Sequence, residues 1–416
     1  MIPSRHTETL CVYLLNRKVG RIDYCSHRNE MHFVYDKDYL AEKDAVPLSY
    51  AMPLGGEPFD SSRTTVFFEN LLPPDSVRRK LGPVLHISRH NIFGFLKALG
   101  GDCAGAIAMF EPGIDPGDGS GSLMPLDEIQ ADEVLKSLKN RPLYVNGVDG
   151  YRISGAGAQN KLIARIDGGK IVLPLFGAPS THIIKPGVSD YPDTIYNEMF
   201  AMRLAARIGL PAAECGILRI RDDLYYWTKR FDREIADGRI ARLHQEDFCQ
   251  ITGTPAEMKY ESEGGPSFAR CMAAIRGMRL GLAHQLSFID RMVFSFLIGN
   301  ADAHAKNSSV LYRGNKASLA PIYDVMTTAV YPELSRVNAM SIGGSRDFDG
   351  VSRSSFTAMA DEVQMAPALV LGRLDALLGR ISQEAPALAA ELAAEWPSEV
   401  YSRILKVISD QMRRVA

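Results

Sequence analysis

The 416-residue sequence has few cysteines, no long apolar run and no excess of charge of either sign. Its six cysteines form no C-x-x-C pair and no Cys/His cluster with zinc spacing, which argues against a structural zinc site. Scattered single cysteines predict reduced thiols in a cytoplasmic protein. Because no run of about 18 apolar residues occurs, we predict no membrane span. The polar first residues lack an apolar signal core, so we also predict no export.

The charge balance is close to neutral, with 47 Lys and Arg against 49 Asp and Glu and a formal net charge of −2. A basic footprint for nucleic acid over the whole chain is therefore absent, although local basic patches can exist. The 46% hydrophobic and 23% charged residues are ordinary for a globular protein and exclude disordered, collagen-like and coiled-coil chains. The length predicts two or three domains.

The chain changes character along its length. Residues 112–122 are rich in Gly, Pro, Asp and Ser, which predicts a linker. Residues 151–230 have the pattern of a strand-rich lobe with one main helix at 194–208, whereas 243–310 and the tail from about 353 to 415 have helical patterns. Two such lobes predict a cleft between them, where ligands commonly bind.

Two further patterns concern the C-terminal half. Residues 308–312 and 317–320 have the composition of a short strand pair that leads to Asp324. Residues 366–378 and 385–396 have the apolar spacing of two amphipathic packing helices, to which we assign no site.

The strongest chemical signal is the segment GNADAHAKN, residues 299–307. Asp302 and Asn307 are five apart, the interval of the kinase catalytic loop H-R-D-x-x-x-x-N. In such a loop the carboxylate accepts a hydroxyl proton near the γ-phosphate, and the amide oxygen holds Mg²⁺. A lysine between them, here Lys306, can neutralise developing phosphoryl charge. Taken alone, so short a pattern fits an ordinary polar loop better than a site.

Four weaker signals accompany this segment. Asp324 lies seventeen residues after Asn307 at a predicted strand end, the place of the Mg²⁺-binding DFG aspartate of kinases. Lys185 ends an apolar strand and can reach phosphates, and Glu198 on the next helix can pair with it. The small residues of 152–161 let backbone N–H groups approach phosphate, although the loop is not a Walker A motif. Taken alone, each signal fits an ordinary turn or a solvated surface residue better than it fits a phosphate or metal site.

Order and joint occurrence decide between these interpretations. The small-residue loop, the lysine, the helix glutamate, the Asp-x(4)-Asn segment and the last aspartate follow one another in kinase order over about 170 residues. Together they predict a two-lobed phosphotransferase.

Longer segments resemble one known family, the HipA-type serine/threonine kinases, which are toxins of bacterial toxin–antitoxin pairs. They cover most of the chain and several are long and specific. The matching segments are PLSYAMPL (47–54), FFENLLPPDSVRRKL (67–81), RISGAGAQNKLIARI (152–166), THIIKPG (181–187), NEMFAMRLAARIGL (197–210), KRFDRE (229–234), RLHQEDFCQITG (242–253), KYESEGGPSFARCMA (259–273), IGNADAHAKNSSVL (298–311) and LAPIYDVM (319–326).

The resemblance implies an α+β, two-lobed protein-kinase-like fold with a β-rich N-terminal subdomain and an all-α C-terminal lobe. It also implies ATP and Mg²⁺ as cofactors. The implied organisation is an N-terminal subdomain at 1–112, a linker with a connecting helix at 113–150, a strand-rich ATP-binding lobe at 151–240 and a helical catalytic lobe at 241–416.

By motif position, the resemblance implies that Asp302 is the catalytic base, that Glu198 pairs with Lys185, and that Asn307 and Asp324 are the metal ligands. Ser154 matches the family's autophosphorylated serine, whose modification expels the phosphate loop and silences the kinase. The implied ATP-binding residues are Ala156, Gly157, Ala158, Gln159, Asn160, Lys161, Lys185, Lys229, Arg230, Phe231, His304, Lys306, Asn307, Tyr323 and Asp324.

The sequence departs from the family at two of these positions. Lys229 stands in the adenine-contacting hinge where the family usually has an acidic residue. Because hinge contacts are mainly made by the backbone, only a side-chain contact is in doubt there. Asn160 stands where the family often has Glu.

Family members phosphorylate aminoacyl-tRNA synthetases, glutamyl-tRNA synthetase among them, which blocks translation and leads to growth arrest and persistence. The resemblance therefore implies a synthetase as protein substrate and a small helix-turn-helix antitoxin of HipB type as partner. It further implies binding of operator DNA mainly through the antitoxin, a cytoplasmic place in a bacterium and no membrane partner.

Two alternatives stay open. One is a small-molecule, aminoglycoside-type phosphotransferase, which would share Asp302, Asn307 and Asp324 but should lack the GGPSFAR-type segment and the N-terminal subdomain. The other is a non-catalytic DNA-bound co-repressor, against which the intact Lys185, Asp302, Asn307 and Asp324 argue. Thermal stabilisation of the protein by ATP, measured with and without Mg²⁺, would distinguish a non-catalytic co-repressor from an enzyme.

Overall fold

The computed structural model describes residues 7–114, 121–236, 239–314 and 316–416. The polar N-terminus at 1–6 and the middle of the predicted linker, 115–120, lie outside the described residues. Among the helices that are described, none is both long enough and apolar enough to span a membrane.

The N-terminal part of the chain is built on a four-stranded antiparallel sheet with strand order β3-β2-β1-β4. Alternation along the third strand directs Met31, Phe33 and Tyr35 into the core. Residues 9–14 and 31–35 are rich in residues that favour strands, and both segments lie within strands of this sheet. The elements are β1 (Thr7–Leu14), β2 (Arg17–Cys25), β3 (Glu30–Tyr35), α1 (Lys37–Leu40), α2 (Ser61–Glu69), α3 (Asp75–Leu85), α4 (Ile92–Leu99) and β4 (Ile107–Phe110).

The second part is a six-stranded antiparallel sheet with strand order β5-β7-β6-β8-β10-β9. Its first strand, formed by the end of the predicted linker, was not expected from the sequence. Asp127 and Gln130 form a capping box that begins the connecting helix. The elements are β5 (Ser122–Pro125), α5 (Glu128–Ser137), β6 (Leu162–Asp167), β7 (Lys170–Leu175), β8 (His182–Pro186), α6 (Thr194–Arg207), β9 (Cys215–Ile220) and β10 (Asp223–Lys229).

The remaining residues form a mainly helical lobe. Its elements are β11 (Arg233–Ala236), β12 (Arg239–Arg242), β13 (His244–Asp247), α7 (Phe248–Thr252), α8 (Phe268–Gly277), α9 (Leu282–Leu297), β14 (Ser309–Arg313), β15 (Lys316–Leu319), β16 (Val337–Ile342), β17 (Ser345–Asp347), α10 (Arg353–Glu362), α11 (Pro367–Glu395) and α12 (Val400–Val415).

The two-lobed fold is as predicted, but the expectation of an all-α C-terminal lobe is corrected. Within 241–416 the chain forms a three-stranded sheet, β13-β14-β15, and a strand pair, β16-β17. The strand pair predicted at 308–312 and 317–320 is confirmed as β14 and β15. The other three strands do not alternate polar and apolar residues: β13 and β17 consist of polar residues, and five successive residues of β16 are buried.

The two packing helices predicted at 366–378 and 385–396 are in fact one helix, α11, which continues through Pro386. Its buried side chains form one stripe that passes from Leu377 and Ile381 to Leu388 and Leu392. Packing of this stripe against α6, α9, α10 and α12 outweighs the hydrogen bond that proline removes.

Two hydrophobic cores organise the molecule. One joins side chains of the N-terminal sheet, such as Phe33, to side chains of the second sheet, such as Leu162 and Ile184. The other lies in the helical lobe and includes Phe200 of α6. Helix α6 therefore packs with the helical lobe although it lies between strands of the second sheet in sequence. The boundaries expected at 112, 150 and 240 stay predictions.

A buried ionic cluster joins the N-terminal part to the start of the helical lobe. Asp102 lies within 2.7 to 3.3 Å of the guanidinium groups of Arg230, Arg233 and Arg242. Asp232 pairs with Arg230 at 2.8 Å and with Arg233 at 3.0 Å. Burial alone would raise the pKa of Asp102, but the three arginines outweigh it and hold that pKa well below its usual range.

The substitution Asp102→Asn tests how much this cluster contributes to the free energy of unfolding. It keeps the side-chain shape but leaves buried arginines without their shared carboxylate, which should cost about 3–5 kcal/mol of stability. Asp44→Asn is the matched control, because Asp44 is 77% exposed and pairs with Arg17 at 2.7 Å. Such a surface pair is worth about 0–1 kcal/mol. Urea unfolding should separate the two variants clearly, and equal shifts of the midpoint would contradict a structural role for Asp102.

Candidate active site

A lysine held between two carboxylates forms the centre of the cleft. The Nζ atom of Lys185, at the end of β8, lies 2.7 Å from Glu198 Oε1 on α6 and 2.7 Å from Asp324 Oδ1. Lys185 and Glu198 are buried, whereas 49% of the Asp324 side chain is exposed. Lys185 holds the pKa of Asp324 well below its usual range, so this carboxylate is ionised. The expected Lys185–Glu198 pair therefore forms, and Asp324 joins it.

Asp324 has an unusual backbone conformation. Its φ of 56° is in the left-handed region, which costs energy for a residue other than glycine. The ion pair with Lys185 and the bond from Asn307 Nδ2 to the Asp324 carbonyl at 3.4 Å help to hold it there. In this conformation the carboxylate contacts the lysine.

The Asp-x(4)-Asn segment is a short loop between α9 and β14. Asn307 Nδ2 also donates to the carbonyl of Asp302 at 3.1 Å, so the two ends of the motif are bonded to each other. These two bonds use the amide nitrogen of Asn307 and leave its oxygen as an acceptor. The loop thus brings together Asp302, Asn307 and Asp324, as predicted from their spacing.

The Asp302 carboxylate is accessible but not free. Its side chain is 48% exposed, and its Oδ1 accepts a 2.7 Å hydrogen bond from the Tyr260 hydroxyl. The same oxygen lies 4.0 Å from His304 Nε2. Burial in the cleft raises the pKa of Asp302, while the Tyr260 bond and the charge of Lys259 oppose that rise. The other carboxylate oxygen of Asp302, Oδ2, has no hydrogen-bond partner among the described residues and can accept a proton.

The small-residue loop at 152–161 is folded inward. Ser154 is buried, with its backbone N–H donating to the Asp102 carbonyl at 3.1 Å and its hydroxyl donating to the Leu71 carbonyl at 2.6 Å. Gly157 has a φ of 94°, which a side chain would oppose. The Lys161 ammonium donates to the Ala156 carbonyl inside the loop.

Two further facts describe this loop. Burial, together with the charge of Lys185, lowers the pKa of Lys161 to about 8. Gln159 Nε2 donates to the Pro186 carbonyl at 3.2 Å, which ties the loop to the end of β8. The loop that carries Ala158 and Asn160 therefore adjoins the strand of Lys185.

Lys306 does not face Asp302. Its ammonium lies 2.6 Å from Asp247 Oδ2 and 2.7 Å from Asn70 Oδ1, and it also donates to the Asn70 carbonyl at 3.1 Å. Asp247 begins α7 with a capping box that includes Gln250. In this structure Lys306 therefore anchors the loop to the N-terminal part, and its expected role toward phosphoryl charge stays a prediction.

The expected hinge is tied into the fold. The N–H groups of Lys229 and Arg230 donate to the carbonyls of Glu214 and Thr181, both at 2.8 Å. The Arg230 guanidinium belongs to the Asp102 cluster. The rings of Phe231 and Tyr323 lie 5.2 Å apart, which places both aromatic residues side by side. Adenine contacts at this hinge stay a prediction.

Sequence reasoning missed four residues of the site: Lys259, Tyr260, Asp247 and Asn70. All lie in segments that resemble the family, KYESEGGPSFARCMA, RLHQEDFCQITG and FFENLLPPDSVRRKL. The resemblance of these segments to the family could have pointed to the four residues, but no spacing rule connects the segments to Asp302. Only the folded chain places these residues in one site.

The donor set at the centre suits Mg²⁺. The oxygens of Asn307 and Asp324 are hard ligands, and Mg²⁺ commonly binds one or two carboxylates and completes its shell with phosphate and water. No cluster of three or more His, Cys, Asp or Glu residues occurs in the part of the chain that the structure describes, which argues against an all-protein metal cage there.

A buried lysine fixed by a helix glutamate, beside a loop of small residues and opposite an Asp-x(4)-Asn segment, is suited to holding a triphosphate for transfer. With a strand-rich lobe on one side and a helical lobe on the other, the molecule belongs to the kinase class of phosphotransferases.

Comparison with known proteins names the family. The HipA N-terminal domain matches residues 10–110 and the HipA-like C-terminal domain matches residues 153–393. The chain belongs to the HipA family of protein kinases. It is 37% identical to protein Y4mE of Sinorhizobium fredii, whose name describes it as a kinase, over 89% of each chain. It is 29% identical to the serine/threonine-protein kinase toxin HipA of Shewanella oneidensis, over 91% of this chain and 88% of that one.

A solved structure agrees with this assignment. HipA of Shewanella oneidensis, in a complex with HipB and its operator DNA, superposes with a TM-score of 0.83 at 27% identity. The match covers 97% of this chain and 96% of that chain.

Tyr260→Phe tests the hydrogen bond to Asp302. Because this bond lowers the pKa of Asp302, its loss should raise that pKa, and the acid limb of the pH–rate profile for transfer from ATP should move to higher pH. The rate at its optimum should fall roughly tenfold, as expected for one bond to a charged group. Tyr24→Phe, which removes a bond to Asn29 at 3.0 Å, is the control. An unchanged profile in both variants would reject a role for Tyr260.

Proposed function

We propose that this protein is an ATP- and Mg²⁺-dependent serine/threonine-protein kinase that acts as the toxin of a HipA–HipB-type pair. One observation carries the proposal: Lys185 lies between Glu198 and Asp324 in the cleft that also holds Asp302. A buried charge is retained only when it is paired, and Asp324 is open enough to accept a second cation.

The proposed roles follow from the contacts. Lys185 binds the non-transferred phosphates, and the backbone of 156–160 approaches them. Asn307 and Asp324 hold Mg²⁺, which supplies charge neutralisation when bound. Asp302 accepts the proton of a serine or threonine hydroxyl. The hinge at 229–231 contacts the adenine.

Ser154 is the proposed site of autophosphorylation. Its hydroxyl now donates to the Leu71 carbonyl, and a phosphate dianion could neither donate that bond nor fit in the buried space beside a carbonyl oxygen. Phosphorylation would therefore hold the loop at 152–161 outward and remove part of the nucleotide site.

The partners are proposed from the family. The Shewanella relative is seen with HipB and operator DNA, and the match covers nearly all of both chains. We infer a helix-turn-helix antitoxin as partner, co-repression of the operon with operator DNA contacted mainly by the antitoxin, and an aminoacyl-tRNA synthetase as substrate in the bacterial cytoplasm. Inhibited aminoacylation would then stop translation and cause growth arrest and persistence.

Asp302→Asn should abolish transfer while nucleotide binding persists. Loss of the general base should lower the rate by about 10²–10⁴-fold, whereas thermal stabilisation by ATP and Mg²⁺ should stay within about twofold of wild type. Labelled ATP, a panel of tRNA synthetases and mass spectrometry measure both transfer and its target.

The outcomes of this experiment separate the alternatives. Label on one synthetase, absent with the variant, supports the proposal. Label only on a small molecule would favour an aminoglycoside-type phosphotransferase. A third outcome is that protein shown to be free of phosphate beforehand transfers no label and is not stabilised by nucleotide. That outcome would favour a non-catalytic co-repressor.

Ser154 phosphorylation should weaken nucleotide binding by at least about tenfold, because a charged loop cannot return to its buried place. Phosphorylated protein and the same sample after phosphatase treatment are compared by calorimetry. Ser154→Ala should bind nucleotide normally and lose the label on this segment. Ser137→Ala is the control, because the Ser137 hydroxyl also donates to a carbonyl at 2.6 Å. Equal affinity of both forms would contradict the proposed silencing.

A further inference from the structure

Apart from Lys229 of the hinge, the described cleft has four lysines, and two of them are in ion pairs: Lys185 with two carboxylates and Lys306 with Asp247. In the described part of the chain no carboxylate oxygen lies within 4.0 Å of the ammonium of Lys161 or of Lys259. Lys161 is buried and donates within its own loop, whereas Lys259 is partly exposed. A partly exposed cation without a carboxylate, beside a proposed phosphoryl-transfer site, is available for an anion.

Lys259 is held in place by neutral groups. Its Nζ lies 2.9 Å from His304 Nε2 and 4.9 Å from the centre of the Tyr260 ring. Tyr260 in turn donates to Asp302, and its ring meets the His304 ring edge to face. Two consecutive residues of the KYESEGGPS segment therefore contact two residues of the catalytic loop.

His304 can fix the ammonium without neutralising it. An ammonium group can only donate, so in the 2.9 Å bond between the two side chains His304 Nε2 is the acceptor and the imidazole is neutral. One of the three ammonium hydrogens goes to that nitrogen, and two remain for a ligand.

Lys259 lies next to the proposed catalytic base. Its ammonium bonds the side chain of His304, two residues after Asp302, and the hydroxyl of the adjacent Tyr260 donates to Asp302 at 2.7 Å. A phosphoryl group that approaches Asp302 would therefore come near the Lys259 ammonium. The lysine of the catalytic loop itself, Lys306, is bonded to Asp247 and Asn70 in this structure.

We propose that Lys259 is a catalytic residue that contacts the transferred γ-phosphoryl group of ATP. This inference rests on the proposed function.

In the reaction the substrate hydroxyl oxygen forms a bond to the γ-phosphorus while the bond from that phosphorus to the β,γ-bridging oxygen breaks. The bridging oxygen keeps the electron pair and leaves as ADP, and the hydroxyl proton passes to Asp302. Lys259 stabilises the charge on the equatorial oxygens in between.

The test separates contact with the γ-phosphate from general loss of structure. Affinities for ADP and for the non-hydrolysable triphosphate AMP-PNP, each with Mg²⁺, are measured by calorimetry on wild type, Lys259→Met and Lys259→Arg. Lys170→Met, on an exposed lysine of β7, is the control for loss of one charge. Should Lys259→Met fail to fold, Lys259→Gln takes its place, because Gln can still donate to His304.

Lys259→Met should weaken AMP-PNP binding by about tenfold and leave ADP within about twofold, since only the triphosphate reaches the ammonium. Transfer from ATP should fall by about 10²-fold, and Lys259→Arg should restore part of both losses. Lys170→Met should match wild type in every measurement.

Equal loss of ADP and AMP-PNP affinity, or transfer that stays within about threefold of wild type, would overturn the role of Lys259 while the kinase proposal stands. Wild type that binds neither nucleotide would overturn the proposed function itself, and the inference with it. The two failures are therefore distinguishable by the wild-type measurement alone.

Discussion

The site depends on one interaction, the ammonium of Lys185 held at 2.7 Å from both Glu198 and Asp324. The three residues come from a strand of the second sheet, from a helix that packs with the helical lobe, and from the loop after β15. A buried lysine needs a counter-charge, so the two lobes must keep this relative position for the charge to remain stable. The strained backbone of Asp324 is one consequence.

The N-terminal part is coupled to this centre by short polar contacts. Leu71 accepts the Ser154 hydroxyl, the neighbouring Asn70 binds Lys306, and Asp102 meets both the backbone of Ser154 and the arginines of the hinge region. The small-residue loop and the catalytic loop therefore both contact the same two adjacent residues, Asn70 and Leu71.

Much of the site was predictable because kinase chemistry requires certain residue types in a certain order. Lys185, Glu198, Asp302, Asn307 and Asp324 were found in this way, and the structure brings them into one cleft. The continuity of α11 was not predicted, because tertiary packing overrides a proline. The strands β13, β16 and β17 were not predicted either, because none of them alternates polar and apolar residues.

The sequence by itself determined which reactive side chains are present, their order, and the family to which they belong. Only the tertiary structure decided which group each lysine of the cleft contacts. Lys306 sits next to Asn307 in sequence yet binds Asn70, 236 residues away, whereas Lys259 comes from a separate segment to lie beside His304. The physical reason is that a charged side chain pairs with the polar or charged group that packing places nearest to it. The spacing of residues along the chain does not show which group that is.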